Sequence, residues 1–175
     1  MTRSFARVLS CVARRPRARW TIASVAAEAG VSVGSASQKM RELVELGVLV
    51  APATRGGGYE VDRYSPLVRQ WKALSAVFEL QVLVEQVRSM ARRIVLFGSA
   101  AEGLDDERSD LDLYVETDKP ERVRRVVERV QLARRVQLIA AGPEDVARLM
   151  KQPVWDAIDH GIVLYDEALS GQGAG

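Results

Sequence analysis

The apolar run Ile94–Phe97 is followed at once by Gly98 and Ser99 and, eleven positions later, by the acidic pair Asp110 and Asp112. A short apolar run of this kind predicts a buried β-strand, and the glycine after it predicts a turn. Because side chains alternate along a strand, the two aspartates share one face and the residue between them faces the core. Two such carboxylates can hold Mg²⁺ and leave coordination positions for water and phosphate oxygens. The pattern therefore favours a metal-dependent phosphate site in the second half of the chain. The alternatives are a plain strand-to-helix turn at the glycine and an exposed strand edge with acidic side chains.

The whole segment IVLFGSAAEGLDDERSDLDLYVE resembles the signature of the DNA-polymerase-beta-like nucleotidyltransferases, and among them the minimal nucleotidyltransferases. The resemblance implies that Gly98 and Ser99 bind a nucleoside triphosphate, for which ATP is expected. It also implies that Asp110 and Asp112 are the catalytic residues and the ligands of Mg²⁺. In two-metal phosphoryl transfer, such ions clamp the attacking and leaving oxygens.

The sequence departs from the pattern of that family on the third strand, predicted at Val136–Ala140. Members of the family usually carry a third carboxylate there, and this chain has Gln137, whose neutral amide is a weaker metal ligand. Glu116 shares the face of the two aspartates but lies about 13 Å along the strand from Asp112. Glu144 and Asp145 follow the third strand and reach the site only if the loop folds back. Whether the site transfers a nucleotidyl group or only binds nucleotide stays open.

The first third of the chain contains a second pattern. Helices are predicted over Ser4–Arg14, Ile22–Ala29 and Gly34–Leu46, with Ser32 as the cap of the third and Gly30 in the turn between the second and third. Short strands are predicted at Val48–Val50 and Tyr59–Val61. The segment TIASVAAEAGVSVGSASQKMRELVELGVLVAPATRGGGYEV resembles the winged helix-turn-helix of bacterial and archaeal transcription regulators.

Charge supports a phosphate-rich partner for this part of the chain. Residues 1–75 carry 12 basic and 5 acidic side chains, whereas residues 76–175 carry 13 and 18. A basic half favours binding to the phosphate backbone of double-stranded DNA. Glutamine can read adenine edges, and lysine or arginine suits phosphates. The predicted DNA-binding residues are Ser35, Ser37, Gln38, Lys39 and Arg41 on the third helix and Arg55 at the wing tip. The alternative is a winged helix used only for protein contacts or dimerisation.

Between these parts, Ser65 and Pro66 predict the start of a long connecting helix. Its stretch Val77–Val84 is apolar almost all round, which indicates burial on more than one side. A homodimer through this helix is one interpretation. The other is that the helix is sandwiched between the two domains of its own chain.

The predicted fold class is thus α+β. It comprises a winged helix-turn-helix over 1–63, a connecting helix over 64–92, a nucleotidyltransferase domain over 93–167 and a disordered tail over 168–175. The third domain is expected to be a small mixed β-sheet with helices packed on one face. Cys11, the single cysteine, cannot form an internal disulfide and is predicted to be a buried structural thiol. The only histidine, His160, is predicted to cap a helix C-terminus.

The leading hypothesis is a cytoplasmic DNA-binding protein, a transcription regulator, whose second domain binds nucleotide and Mg²⁺ and transfers a nucleotidyl group if active. No signal peptide and no apolar run near the roughly 18 residues of a membrane span is evident, so no membrane partner is expected. The acceptor would be a partner protein or a small molecule. The alternatives are an antitoxin-type minimal nucleotidyltransferase acting on a toxin partner, and a catalytically inactive regulator.

Overall fold

The computed structural model describes residues 2–54 and 56–170, and divides the chain into two compact units, Met1–Lys72 and Ala73–Gly175. Helices and a small mixed sheet make up the fold, so the predicted α+β class is confirmed. Arg55 and residues 171–175 of the predicted tail lie outside the described residues. Among the described residues, no helix is both long and apolar enough to cross a membrane.

The first unit begins with three helices whose starts are fixed by side-chain caps. Thr2 and Ser32 each accept a hydrogen bond from a backbone N–H in the first turn of their helices, and Thr21 forms a capping box with Ser24. Gly30 ends the second helix in the left-handed conformation, with φ 59°. The helices are α1 (Arg3–Arg14), α2 (Ile22–Ala29) and α3 (Val33–Glu45).

A two-stranded antiparallel sheet follows, formed by β1 (Leu49–Val50) and β2 (Glu60–Val61), with Leu49 opposite Val61. Trp20 bridges to Tyr59 beside it. These strands are shorter than the sequence predicts. One core of this unit joins the helices to the sheet, with buried members Val8, Leu9, Val12, Ala13, Trp20, Val25, Ala26, Ala29, Ala36, Met40, Leu43, Val48, Leu49, Val61 and Val68.

The predicted connecting segment is one continuous helix, α4 (Pro66–Val87), followed by a 3₁₀ turn over Arg88–Met90. The boundary between the compact units falls inside this helix, after Lys72. The two parts of the helix differ because Val68 packs in the core of the first unit, whereas Leu80 and Leu83 pack in a core of the second. Part of the apolar stretch faces outward, since Leu74, Phe78 and Val82 are 47%, 68% and 60% exposed.

The second unit is built on a four-stranded mixed sheet of β3 (Arg93–Phe97), β4 (Leu111–Glu116), β5 (Val136–Ala141) and β6 (Ile162–Asp166). The strand order is β5-β4-β3-β6, in which only β4 and β5 run parallel. The helices are α5 (Gly98–Glu102), α6 (Pro120–Arg129), α7 (Pro143–Leu149), α8 (Val154–Asp159) and α9 (Glu167–Ser170). The last of these occupies the start of the segment for which the sequence predicts disorder.

Both faces of this sheet are covered, so the expectation of helices on one face only is wrong. On one face Leu96 and Leu113 pack with Val123 of α6 and with α4. On the other face Tyr114 packs with Ile158 of α8, and its ring meets Trp155 edge-on at 5.9 Å. The physical reason is that β3 carries apolar side chains on both of its faces, as does most of β4. Each apolar face must be shielded from water by helices.

Candidate functional site

The predicted site lies where β3 ends beside β4. Phe97, the last residue of β3, pairs with Asp112 of β4, so Gly98 enters α5 directly against the Asp112 side chain. A Cβ at Gly98 would overlap the Oδ2 atom of Asp112 and lie 3.2 Å from its Cγ. Gly98 also has φ 70°, in the left-handed region that favours glycine. The backbone conformation therefore favours glycine here, and any larger residue would also displace the Asp112 carboxylate.

The two aspartates interact electrostatically at this position. Burial raises the pKa of Asp112 above its usual value, and the negative charge of Asp110 raises this pKa further. Asp110 immediately precedes β4, and both side chains are partly exposed to solvent. A cation between them would relieve the repulsion and the cost of burying charge, so the donor set fits a divalent ion such as Mg²⁺.

Gln137 lies where the sequence places it. It pairs with Asp112 across the parallel strands β4 and β5, and its side chain is exposed. Among residues 2–54 and 56–170, no three acidic, histidine or cysteine side chains gather closely enough to hold a metal ion. Asp145, which the sequence offers as a further carboxylate, forms an ion pair with Arg148 at 2.8 Å within α7. The described residues thus offer two carboxylates and one neutral amide.

Ser99 lies in the first turn of α5, with its side chain partly exposed. Phe97 occupies the cap position and gives no side-chain hydrogen bond to the first turn. The carbonyl of Ser99 accepts hydrogen bonds from the backbone N–H groups of Leu104 and Asp105, at 2.8 and 3.2 Å. These bonds fold the loop after α5 back toward its start, and this loop leads to Asp110.

The sequence did not predict an ionic network that holds the loop between α5 and Asp110. Arg134 donates to both carboxylate oxygens of Glu79, with distances of 2.9 to 3.0 Å, and to Oδ2 of Asp105 at 2.5 Å. The side chains of Arg134 and Asp105 are only 17% and 6% exposed. A guanidinium group can bridge two carboxylates because its donors form a rigid planar fork. The available signal was Glu79, a single charge inside the apolar stretch of α4.

His160 fulfils its predicted role as the C-cap residue of α8. Its Nδ1 lies 2.8 Å from the carbonyl oxygen of Asp156, and this hydrogen bond raises the pKa of the imidazole, with the Asp156 carboxylate adding to the effect. Cys11 differs from its prediction, because its thiol is only partly buried and lies near Glu28.

In the first unit, the predicted DNA-binding residues of α3 do not share one environment. Gln38 and Arg41 are exposed, whereas Ser35 and Ser37 are partly buried. Lys39 pairs with Glu42 at 2.6 Å, and its side chain is only 13% exposed. Contact between Lys39 and a phosphate would therefore require this ion pair to open. Arg55 lies outside the described residues, and the winged helix-turn-helix assignment stays a prediction.

Comparison with known proteins bears on the second unit. Residues 80–165 match the family described as a nucleotidyltransferase domain. The matched segment lies within the second unit. A structure of a candidate nucleotidyltransferase from Sulfolobus solfataricus is similar to this chain at 16% identity, covering 55% of this chain and 86% of that one, with a TM-score of 0.40. No protein of curated function matches the chain. The matched residues include Gly98, Ser99, Asp110, Asp112 and Gln137.

Proposed function

We propose that the nucleotidyltransferase domain binds a nucleoside triphosphate together with Mg²⁺ beside Asp110 and Asp112. The observation that carries this proposal is the close approach of the Gly98 backbone to the Asp112 carboxylate, at a glycine with a left-handed φ of 70°. A triphosphate needs a cation to balance its charge, and the two aspartates could hold one beside it. Mg²⁺ would be held by the two aspartates and would supply positive charge to the phosphate oxygens.

Because position 137 is a glutamine, we expect the site to bind nucleotide rather than to transfer a nucleotidyl group efficiently. A nucleotidyl transfer needs the attacking oxygen to lose its proton, and a neutral amide can neither accept that proton nor hold a second cation firmly. Asp110, Asp112 and the phosphates can still share one Mg²⁺ ion. Nucleotide binding should therefore persist while transfer is slow or absent.

Titration calorimetry of the full chain with ATP and Mg²⁺ tests this proposal. The wild type should release heat with a single-site stoichiometry, and Asp110→Asn with Asp112→Asn should lose it. Asp159→Asn is the matched control, since this exposed aspartate at the end of α8 lies outside the site, and it should bind like the wild type. If the wild type gives no heat while remaining folded, the binding proposal fails and the inactive-regulator alternative is favoured.

A second candidate function is DNA binding by the first unit. It is supported by the Gly30 turn that joins two capped helices and by the exposure of Gln38 and Arg41 on the second of them. Together with the basic character of residues 1–75, this arrangement favours a helix that enters the major groove of duplex DNA. In such a protein, transcription regulation would be the role and a two-fold DNA site would suit a homodimer.

Electrophoretic mobility shifts of the full chain on duplex DNA at low and moderate salt test this second candidate. Arg41→Ala and Arg55→Ala should each weaken binding to every sequence and reduce the salt slope by about one unit where the arginine meets a phosphate. Gln38→Ala should change the preferred sequence instead. Arg129→Ala, an exposed arginine of α6, is the matched control and should have no effect. Absence of any shift at low salt would refute DNA binding.

A further inference from the structure

The first unit contains a groove between α1 and α2 that neither proposed function uses. Its volume is about 360 Å³, within the range of roughly 300–1,000 Å³ typical of small-molecule sites. Both walls come from residues 3–29, so the groove belongs entirely to this unit. Its lining contains four arginines and one acidic residue, Glu28.

Only one of the four arginines of the groove is paired with a carboxylate of its lining. Glu28 pairs with Arg15, and α1 itself contains no acidic residue. Arg3, Arg7 and Arg14 have no ion-pair partner within residues 2–54 and 56–170, and all three line the groove from one face of α1. A cation in the first turn of a helix opposes the helix dipole, and two like charges four residues apart repel. Such an arrangement costs stability unless an anion accompanies it.

Two contacts prepare the groove for a hydrogen-bonding ligand. Trp71 donates its indole N–H to the hydroxyl oxygen of Ser10 at 3.2 Å, so this hydroxyl keeps its own hydrogen as a donor. Arg7 lies against Gly30, where any Cβ would overlap its guanidinium group. Gly30 forms the turn between α2 and α3, so Arg7 joins the groove to that turn.

We propose that this groove binds a compact anion carrying two or more phosphate groups, held by Arg3, Arg7 and Arg14. The proposal rests on neither the nucleotide site of the other unit nor DNA binding. A small phosphorylated molecule suits the groove better than duplex DNA, because the surface is concave and its volume is that of a small ligand. Several phosphates on one molecule match guanidinium groups that are one and two helical turns apart.

The single cysteine of the chain provides the assay, since Cys11 lines the groove and is partly exposed. The rate of maleimide labelling would be measured on the full-length Asp110→Asn and Asp112→Asn double variant, in EDTA, with increasing tripolyphosphate. The aspartate changes remove the other phosphate site from the measurement. At ten times the dissociation constant, mass action should slow labelling about tenfold, and the effect should saturate.

Arg7→Gln with Arg14→Gln should abolish this protection without lowering the unfolding midpoint. Because the charge of Arg14 lowers the pKa of the Cys11 thiol, this pair should also label more slowly without ligand, so protection is measured against each variant's own rate without ligand. Arg122→Gln with Arg129→Gln, both exposed on α6, is the matched control and should retain protection. If the Arg7→Gln and Arg14→Gln double variant unfolds at a much lower midpoint, protection by tripolyphosphate is compared between Arg14→Gln alone and the control.

Three results would overturn the proposal. The first is unchanged labelling at any tripolyphosphate concentration. The second is equal slowing by sodium chloride at matched ionic strength, which would show screening of solvated charges only. The third is protection by duplex DNA without protection by tripolyphosphate, which would assign these arginines to the DNA backbone instead.

Discussion

Replacing Gln137 by aspartate adds a third carboxylate beside Asp112 without changing the strand on which it stands. The two positions pair across the parallel strands β4 and β5, where neighbouring backbones lie about 4.8 Å apart. The exposure of Gln137 leaves room for the new charge and for its hydration. The variant therefore tests whether the site lacks only a third negative charge for Mg²⁺ binding and nucleotidyl transfer.

The expected magnitude follows from that spacing. Two unit charges about 5 Å apart interact by roughly 3 kcal/mol at an effective dielectric constant of 20 and by about 0.8 kcal/mol in water. Because both positions are partly or fully exposed, we expect Gln137→Asp to lower the free energy of unfolding in EDTA by about 1–2 kcal/mol at neutral pH. The same charge attracts a divalent cation at least as strongly, so Mg²⁺ should bind about tenfold more tightly, since 1.4 kcal/mol corresponds to one decade.

Two assays follow these effects. Denaturant unfolding in EDTA and in Mg²⁺ measures the change of stability and its reversal, and transfer from α-labelled ATP measures chemistry. Gln131→Asp is the matched control, because it adds the same charge at an exposed position outside the sheet. We expect transfer to appear or rise only in Gln137→Asp. If the wild type already transfers nucleotide rapidly and Gln137→Asp alters neither transfer nor Mg²⁺ affinity, another carboxylate acts in the site and the reasoning is refuted.

The remaining predictions concern the site glycine, the pH dependence and the assembly. Gly98→Ala should lower the free energy of unfolding by about 1–2 kcal/mol because of its left-handed φ. It should also weaken Mg²⁺–nucleotide binding by displacing Asp112. Gly142→Ala, whose added Cβ would have no neighbour closer than 3.9 Å, should leave stability and binding unchanged. The pKa of Asp112 lies above its unfolded value, so its charge destabilises the fold at neutral pH, and Asp112→Asn should raise the denaturation midpoint in EDTA. The stability gained by Asp112→Asn should disappear as pH falls through the pKa of Asp112, over the range in which the wild type also loses Mg²⁺-dependent binding. Asp110→Asn should lower that pKa and so move the loss of binding to lower pH. If α4 forms the homodimer, Phe78→Glu should give a monomer by light scattering; an unchanged mass for this variant, or a monomeric wild type, would contradict that interface.

Local patterns in the sequence determined the elements that carry the site. The alternation of β4 puts Asp112 on one face and Leu111 in the core, and the helix caps and Gly30 follow from short-range hydrogen bonds between neighbours in the chain. The position of Gln137 beside Asp112 also came from sequence, although only through the likeness of the whole segment to a family. Spacing alone does not say which distant strand pairs with β4.

Tertiary structure decided what depends on long-range packing. Arg134 joins Glu79 and Asp105 across 55 and 29 positions of chain, and no local period marks such a partner. The second covered face of the sheet likewise depends on where α7 and α8 return after β5. The Arg7 side chain meets Gly30 only because α1 packs on α2. Secondary structure depends mainly on residues that are neighbours in the sequence. These contacts form only when distant segments pack together, because burial and charge pairing depend on the whole fold.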